Sequence, residues 1–135
     1  MTPSAIRDLS ILVVEDNAIS RQLVEFLLKA LGCLSVTCAE DGNEALEMIS
    51  GGAKPPDVFL CDWQMPKMSG LEFLTAIRAK GLKGVFIMVT AVNSLEAAAL
   101  AKTHGADGYL IKPVTKEGLL KTIEETHARV SASRV

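Results

Sequence analysis

Five short apolar runs recur along this 135-residue chain, and they constrain its fold more than any other feature. They occupy residues 11–14, 34–38, 58–61, 85–89 and 108–111. Three of the runs are continuously apolar and do not alternate with polar residues, which is typical of strands buried on both faces. Strands of this kind occur in parallel sheets that helices cover on both sides. The pattern therefore predicts a parallel sheet at the centre of the molecule.

Helical patterns lie between these runs, and residues that favour helix ends mark their limits. After the first run, apolar side chains recur at helical spacing at Leu23, Phe26, Leu27, Ala30 and Leu31, before Gly32. Each later helix is preceded by a residue that can cap a helix N-terminus: Asp41, Ser69, Ser94 and Thr115. Glutamates stand three positions after Asp41 and after Ser69, so both pairs are candidate capping boxes.

The alternating order of strands and helices predicts an α/β fold. Right-handed crossovers would arrange the five βα units, (βα)5, as a doubly wound five-stranded parallel sheet with helices on both faces. The length fits one domain over residues 1–135, with a core at about 10–130 and flexible termini at 1–9 and 131–135. We find no second domain, linker or low-complexity tract in the sequence.

Composition and charge argue against several classes of function. The formal net charge is -2, and a chain without a basic excess is poorly suited to bind the phosphates of a nucleic acid. No apolar stretch approaches the roughly 20 residues that span a membrane, and the N-terminus lacks the apolar region of a signal peptide. The three cysteines have no metal-ligand spacing and indicate reduced thiols, so we expect a cytoplasmic protein.

Charged and polar residues directly follow four of the apolar runs. They are Glu15, Asp16, Asp62, Thr90 and Lys112. Each residue by itself has an ordinary explanation, because an aspartate can cap a helix and a lysine is usually solvated. Ligands of open α/β sheets, however, bind beyond the carboxyl ends of the strands, where these five residues converge. Three carboxylates crowded together repel one another unless a cation lies between them.

The residue types at this edge predict a site for phosphoryl chemistry. Carboxylate oxygens with open water positions suit Mg2+. A lysine and a threonine hydroxyl beside the metal can bind the remaining oxygens of a phosphoryl group. An aspartate can then act as the nucleophile and form an acyl phosphate. Asp62, which follows the middle strand, is the best candidate for this role.

Four motifs together resemble the response-regulator receiver domain, the family of the chemotaxis regulator. They are V-V-E-D-N, L-C-D-W-Q-M-P-K-M-S-G, V-T-A and Y-L-I-K-P, and the similarity extends from about Ser10 to Val130. Any one of these motifs is weak, but the combination is highly specific. The resemblance implies the strand order 2-1-3-4-5.

The resemblance also implies which residues bind the metal and accept the phosphoryl group. The implied metal ligands are the carboxylates of Glu15, Asp16 and Asp62 and the backbone carbonyl of Gln64. Asp62 is at the same time the phosphoacceptor. Trp63 points away from Asp62 by simple alternation along the strand, and we expect it to be an exposed or rim residue and not a ligand.

A second group of residues is implied to bind the phosphoryl group and to switch. It consists of Thr90, Ala91, Lys112 and Tyr109. Among these, Tyr109 is the aromatic residue that would turn inward on activation. The Lys112–Pro113 peptide bond is expected to be cis, a form that X-Pro bonds adopt at modest cost.

The function implied by the resemblance is a phosphorylation switch in two-component signalling. A sensor histidine kinase or a histidine phosphotransfer protein would donate its phosphoryl group to Asp62. The surface from about Ser94 to Arg129 would then bind a downstream target protein. The chain would act as a monomer or as a phosphorylation-dependent dimer, without direct contact to nucleic acid or membrane. It would catalyse only its own phosphorylation and dephosphorylation.

Several other functions fit the same fold. The chain could be a phosphate sink or the relay receiver of a hybrid kinase system. A phosphorylation-independent interaction module would be expected to lack one of the five site residues, and none is missing. An aspartate-nucleophile phosphatase would carry a second acid two positions after the first, where Asp62 is followed by Trp63 and Gln64. A flavin or nucleotide binder would need a phosphate-binding loop after the first strand, but the loop E-D-N-A-I-S is acidic.

Overall fold

The computed structural model describes residues 5–52 and 54–133 and contains a five-stranded sheet. The strands are β1 Ser10–Val14, β2 Ser35–Ala39, β3 Val58–Cys61, β4 Val85–Thr90 and β5 Gly108–Ile111. They pair in parallel in the order β2-β1-β3-β4-β5, which confirms the predicted sheet and its strand order. Each strand begins and ends within one residue of the apolar run that predicted it.

Helices cover both faces of the sheet. Within the described residues they are α1 Ala5–Asp8, α2 Ala18–Ala30, α3 Gly42–Ser50, α4 Gly70–Ala79, α5 Leu95–Thr103 and α6 Lys116–Ser133. Helices α1, α2 and α6 contribute to one apolar cluster, and α3, α4 and α5 contribute to the other. Successive residues of the central strands alternate between the two clusters, because side chains along a strand point to opposite faces. This is the doubly wound arrangement that the sequence predicts.

Aromatic packing defines the core on the side of α3, α4 and α5. Phe59 of β3, Phe73 of α4 and Phe86 of β4 are fully buried. The ring of Phe59 lies 5.9 Å from that of Phe73 and 6.1 Å from that of Phe86, measured between centroids. Burial of each side chain stabilises the fold by about 1.5–3 kcal/mol relative to exposure. The three rings therefore fix α4 against the strands that end at the polar edge of the sheet.

Side-chain caps begin the helices where the sequence predicts them, with one difference. At α4 the capping box is complete, because the Glu72 amide donates to Ser69 Oγ and the Ser69 amide donates to the Glu72 carboxylate. At α3 the Glu44 amide donates to Asp41 Oδ1. The Glu44 carboxylate, however, accepts a hydrogen bond from the amide of Glu40 and not from that of Asp41. The second candidate box is therefore only half formed.

The N-terminal segment differs from the flexible terminus expected over residues 1–9. Residues 1–4 lie outside the described part of the chain, but Ala5–Asp8 forms the short helix α1. Ile6 is 3% exposed and Leu9 is 8% exposed, and both belong to the cluster of α2 and α6. The sequence analysis missed this contact because four residues are too few to show a helical period. At the other end, α6 continues to Ser133, beyond the expected limit of the core.

Helix α2 presents an apolar stripe to solvent. Its buried side chains are Val24 and Leu28, whereas Ile19, Leu23 and Phe26 are 80%, 45% and 68% exposed. The three exposed residues are spaced by four and by three positions, so they lie along one side of the helix. No helix in the described ranges is long and apolar enough to cross a membrane.

The loop from β3 to α4 approaches its own starting strand closely at Gly70. The Gly70 amide donates a hydrogen bond to the Trp63 carbonyl over 2.7 Å. A Cβ atom at Gly70 would lie 2.2 Å from the carbonyl oxygen of Asp62 and 2.9 Å from the Cα of Trp63. Both of these are backbone atoms, so they cannot move away without displacing the residue at the end of β3.

We expect Gly70→Ala to destabilise the fold by about 1–3 kcal/mol, the usual cost of overpacking a closed site. Gly42→Ala is the matched control, because Gly42 is likewise the buried first residue of a helix. Its added Cβ would meet the end of the flexible Met68 side chain, with the sulfur 2.7 Å away. Urea unfolding measures both variants. Equal losses of stability would contradict the proposed backbone clash.

Candidate functional site

An acidic cluster forms where β1 and β3 end. Glu15 is 4% exposed and Asp62 is 9% exposed, whereas Asp16 is exposed to solvent. Each of the three offers a carboxylate oxygen that lies within 4.8 Å of those of the other two. The strand register causes this convergence, because Val14 of β1 pairs with Cys61 of β3. The residues that follow the two strands are therefore neighbours.

Lys112 supplies the positive charge within this cluster. Its ammonium group donates hydrogen bonds to Glu15 Oε1 and, over 3.1 Å, to Asp62 Oδ2. The lysine reaches the acids from the end of β5, where its amide donates to the carbonyl of Thr90. Burial lowers the pKa of Lys112, but its hydrogen bonds to Glu15 and Asp62 outweigh this effect, so the pKa is raised overall. The ammonium form is therefore favoured.

Glu15 is held by the chain around it. Its Oε2 accepts a hydrogen bond from the amide of Asn17, and its carbonyl accepts one from the Arg21 guanidinium over 2.9 Å. Burial raises the pKa of Glu15, while the bonds from Lys112 and Asn17 act in the opposite direction without cancelling it. The nearby charge of Asp62 adds to the increase. Any further cation that enters the site would stabilise the ionised form of Glu15.

Thr90 lies at the end of β4 with its side chain almost completely buried, at 1% exposure. The Val92 amide donates a hydrogen bond to Thr90 Oγ1 over 3.3 Å. A hydroxyl has one proton to donate and two lone pairs to accept with, so this bond leaves the Thr90 proton available to a ligand. Ala91, the next residue, is small and exposed.

Tyr109 and Trp63 contact each other on the face of the sheet that α3, α4 and α5 cover. Their ring centroids are 6.4 Å apart and the rings meet edge to face at 78°. The Tyr109 hydroxyl donates to the Val92 carbonyl over 2.9 Å, and burial raises the pKa of this tyrosine. Trp63 is half-buried and packs against the cluster of α3, α4 and α5, which agrees with the rim position expected from the sequence and not with the fully exposed one.

The remaining site residues lie in the loops that follow β3 and β5. Gln64 is exposed, two residues after Asp62. The Lys112–Pro113 peptide bond is cis, the form that the resemblance implies.

The donor set at this edge fits a hard divalent cation. It consists of three carboxylates within reach of one another, and carboxylate oxygens are preferred ligands of Mg2+. No sulfur or imidazole donor belongs to this group, which argues against a zinc site. The structure therefore places two further carboxylates and the ammonium of Lys112 beside the carboxylate of Asp62.

Sequence reasoning missed one side chain and one backbone link that shape the site. Arg21 donates to the carbonyls of Glu15 and Asp16 from the end of the first turn of α2, and its place five residues after Asp16 could have suggested this role. Val92 connects the Thr90 hydroxyl to the Tyr109 hydroxyl through its backbone alone. Position 92 lies where the resemblance implies that the lifetime of the acyl phosphate is tuned, but backbone groups are the same in every residue, so no sequence signal could have shown this link.

Comparisons with known proteins agree with this arrangement. The family described as the response regulator receiver domain matches residues 11–124. The chain is 36% identical over 125 residues to the chemotaxis protein CheY of Pseudomonas aeruginosa, an alignment that covers 91% of this chain and 99% of that protein. It is also 36% identical over 104 residues to the regulator of RpoS of Escherichia coli. That alignment covers 77% of this chain but 30% of the longer protein.

Solved structures show the same fold. A response regulator receiver domain protein from Clostridium thermocellum superposes with a TM-score of 0.81 at 32% identity, covering 92% of this chain and 98% of that one. The chemotaxis protein CheY4 of Vibrio cholerae superposes with a TM-score of 0.80 at 35% identity, covering 87% of this chain and 98% of that one. Both comparisons extend over nearly the whole sheet with its helices.

We expect Lys112→Met to destabilise the metal-free protein at pH 7 by about 1–3 kcal/mol, because two nearly buried carboxylates lose their partner. This loss of stability is smaller than that expected for a fully buried ion pair, since the Lys112 side chain is 22% exposed. In the wild type, Lys112 makes its full contribution to the stability of the folded state below its ordinary pKa of 10.5. This contribution is lost as the pH rises through the raised pKa of the folded state.

The loss of stability in Lys112→Met should become smaller as the pH falls. Without Lys112 the pKa of Glu15 rises further, so the folded state binds more protons than the unfolded state and gains stability as the pH falls. Urea unfolding in EDTA at pH 7 and pH 5 should therefore show a smaller deficit at pH 5. Lys116→Met, at an exposed lysine, is the control. A deficit that is the same at both pH values would contradict this account.

Proposed function

We propose that this chain, which belongs to the response regulator receiver domain family, is a switch that is phosphorylated on Asp62. The observation that carries the proposal is the position of the Asp62 carboxylate at the end of the central strand. It lies there between the ammonium of Lys112 and the carboxylates of Glu15 and Asp16. Membership of the family implies a histidine kinase as partner in two-component signalling.

The proposed reaction transfers a phosphoryl group from a phosphohistidine of that kinase, or of a histidine phosphotransfer protein. A carboxylate oxygen of Asp62 attacks phosphorus and forms the acyl phosphate bond. The bond between phosphorus and the histidine nitrogen breaks, and its electron pair stays on the imidazole. Lys112 and the Thr90 hydroxyl bind the oxygens of the transferred group, where negative charge has to be stabilised.

Mg2+ is the cofactor that the donor set supports. Glu15, Asp16, Asp62 and the carbonyl of Gln64 would hold it, and when bound it would neutralise charge on the phosphoryl oxygens. Lys112 has three protons to donate, so it can exchange one carboxylate for a phosphoryl oxygen without losing the other. Glu15 keeps the hydrogen bond from Asn17 during this exchange.

Two surfaces near the site support protein partners. The exposed stripe of Ile19, Leu23 and Phe26 belongs to α2, which begins directly after the acidic pair, so a donor that reaches Asp62 would pass beside it. On the other side, a groove of about 330 Å³ lies between α5, β5 and α6. Small residues line it, and Lys102 and Arg129 stand at its edge. We infer that this second surface, between Ser94 and Arg129, binds the target.

Other functions have less support from the site. The phosphatase alternative lacks the second acid after Asp62, and the matched family is described as a receiver domain. A phosphate sink or relay receiver would use the same chemistry, and the presence of the target groove favours an output to another protein. An interaction module independent of phosphorylation would not require Lys112 to bridge Glu15 and Asp62.

We expect Asp62→Asn to abolish phosphoryl uptake and to leave the fold intact, because the change keeps the side-chain shape and removes repulsion among the acids. Intact mass after incubation with acetyl phosphate and Mg2+ measures uptake. Asp41→Asn is the matched control, since asparagine still caps α3 and Asp41 lies outside the acidic cluster. Stoichiometric modification of the Asp62 variant at the same site would overturn the assignment.

A further inference from the structure

Trp63 has a contact that the proposed chemistry does not use. It directly follows Asp62, and its ring meets that of Tyr109 edge to face across the end of β4. Strand alternation explains the meeting, because Phe59, Cys61 and Trp63 all point to the face on which Tyr109 lies. Edge-to-face contact is a favoured geometry of aromatic pairs and restrains the orientation of both rings.

The contact continues into the loop after β4. The Tyr109 hydroxyl donates to the Val92 carbonyl, and the Val92 amide donates to the Thr90 hydroxyl. A path of neighbouring groups thus runs from the residue after Asp62 to the hydroxyl proposed to bind the phosphoryl group. A change in the hydrogen bonding of Thr90 would therefore act on the amide of Val92, whose carbonyl accepts the hydrogen bond from Tyr109.

Helix α5, which follows this loop, is held unevenly. Ala101 is its one buried side chain, and Leu95 in its first turn is 88% exposed. Beyond its C-terminal end, the Arg78 guanidinium donates to the carbonyl of Gly105 and to Asp107, each over 3.0 Å. Before its first residue, the hydrogen bond from the Tyr109 hydroxyl to the Val92 carbonyl connects the loop after β4 to a side chain of β5. The start of α5 is therefore the end that can move.

We propose that Trp63 is a positioning residue that holds Tyr109 in the orientation in which its hydroxyl reaches Val92. Trp63 thereby sets how strongly the start of α5 responds to the state of Asp62. This inference rests on the proposed phosphorylation of Asp62 for its regulatory meaning, but the restraint itself exists in the unmodified protein. An arrangement of Tyr109 turned away from Trp63 would lose this ring contact, so the tryptophan favours the arrangement in which the hydroxyl reaches Val92.

Hydrogen exchange measured by mass spectrometry tests the restraint in the presence of Mg2+, with and without beryllofluoride. In Trp63→Leu we expect exchange over residues 91–97 to rise by about 2- to 12-fold, the ratio that corresponds to one aromatic pair. Exchange in β1 and β3 should stay unchanged, and so should the uptake of a phosphoryl group from acetyl phosphate. Trp63→Phe should restore most of the protection, because a phenyl ring can still contact Tyr109.

A double-mutant cycle separates positioning from general loss of packing. If Trp63 acts through the Tyr109 hydroxyl, Trp63→Leu has no further effect on residues 91–97 in a Tyr109→Phe background. Leu71→Ala removes a half-buried side chain of the same apolar cluster and should leave these residues unaffected. Because Tyr109 is the only tyrosine of the chain, fluorotyrosine labelling gives a single 19F resonance that reports its orientation directly.

Two results would overturn the inference. One is an additive effect of Trp63→Leu and Tyr109→Phe, and the other is unchanged exchange at the start of α5 in Trp63→Leu. A wild-type protein that takes up no phosphoryl group would instead overturn the proposed function. The exchange data without beryllofluoride decide the positioning role in either case.

Discussion

Three carboxylates at one edge of a sheet require a compensating positive charge, and Lys112 provides it. Glu15 and Asp62 are nearly buried, and two anions in that position would strongly destabilise the fold without a partner. Their ammonium partner comes from β5, two strands away from β3 in the sheet. The charge balance of the site therefore depends on the register of all the central strands. Any cation or phosphoryl group that enters must be accommodated within this balance.

Alternation along the strands divides the site into two parts with different tasks. Asp62 belongs to one side of β3, where its carboxylate meets Lys112. Trp63, one residue later, belongs to the other side, where it packs on Tyr109. The carboxylate proposed to react and the ring proposed to position Tyr109 are thus on consecutive residues, Asp62 and Trp63. Both tasks can coexist because neighbouring side chains of a strand cannot obstruct each other.

The packing of the helices is uneven, and this matters for a switch. Helix α4 is fixed by buried aromatic rings, whereas α5 buries only Ala101 among its side chains. Elements that move in signalling proteins are drawn from the weakly packed parts of a fold. The groove with small residues beside α5 and β5 adjoins this weakly packed helix. A change in the position of Thr90 or Tyr109 would therefore alter the surface to which the proposed target binds.

Local patterns in the sequence were sufficient for the strands and for the complete capping box of Ser69 and Glu72. They also identified Glu15, Asp62 and Lys112 as residues that follow strands. These features depend on side-chain periodicity and on hydrogen bonds over a few residues, both of which are legible in a linear sequence. The strand order came from the family resemblance, and the structure agrees with it.

Tertiary structure alone decided which faces are buried and which groups meet. It turned the apolar stripe of Ile19 and Phe26 outward, packed Ile6 of α1 into the core, and brought Trp63 against Tyr109. These outcomes depend on contacts between segments far apart in the chain. A periodic pattern says that a helix has an apolar side, but not which side a neighbouring element will cover. Local sequence patterns predicted the strands, the helix starts and the residue types at the strand ends, whereas packing between distant segments determined which of these groups contact one another.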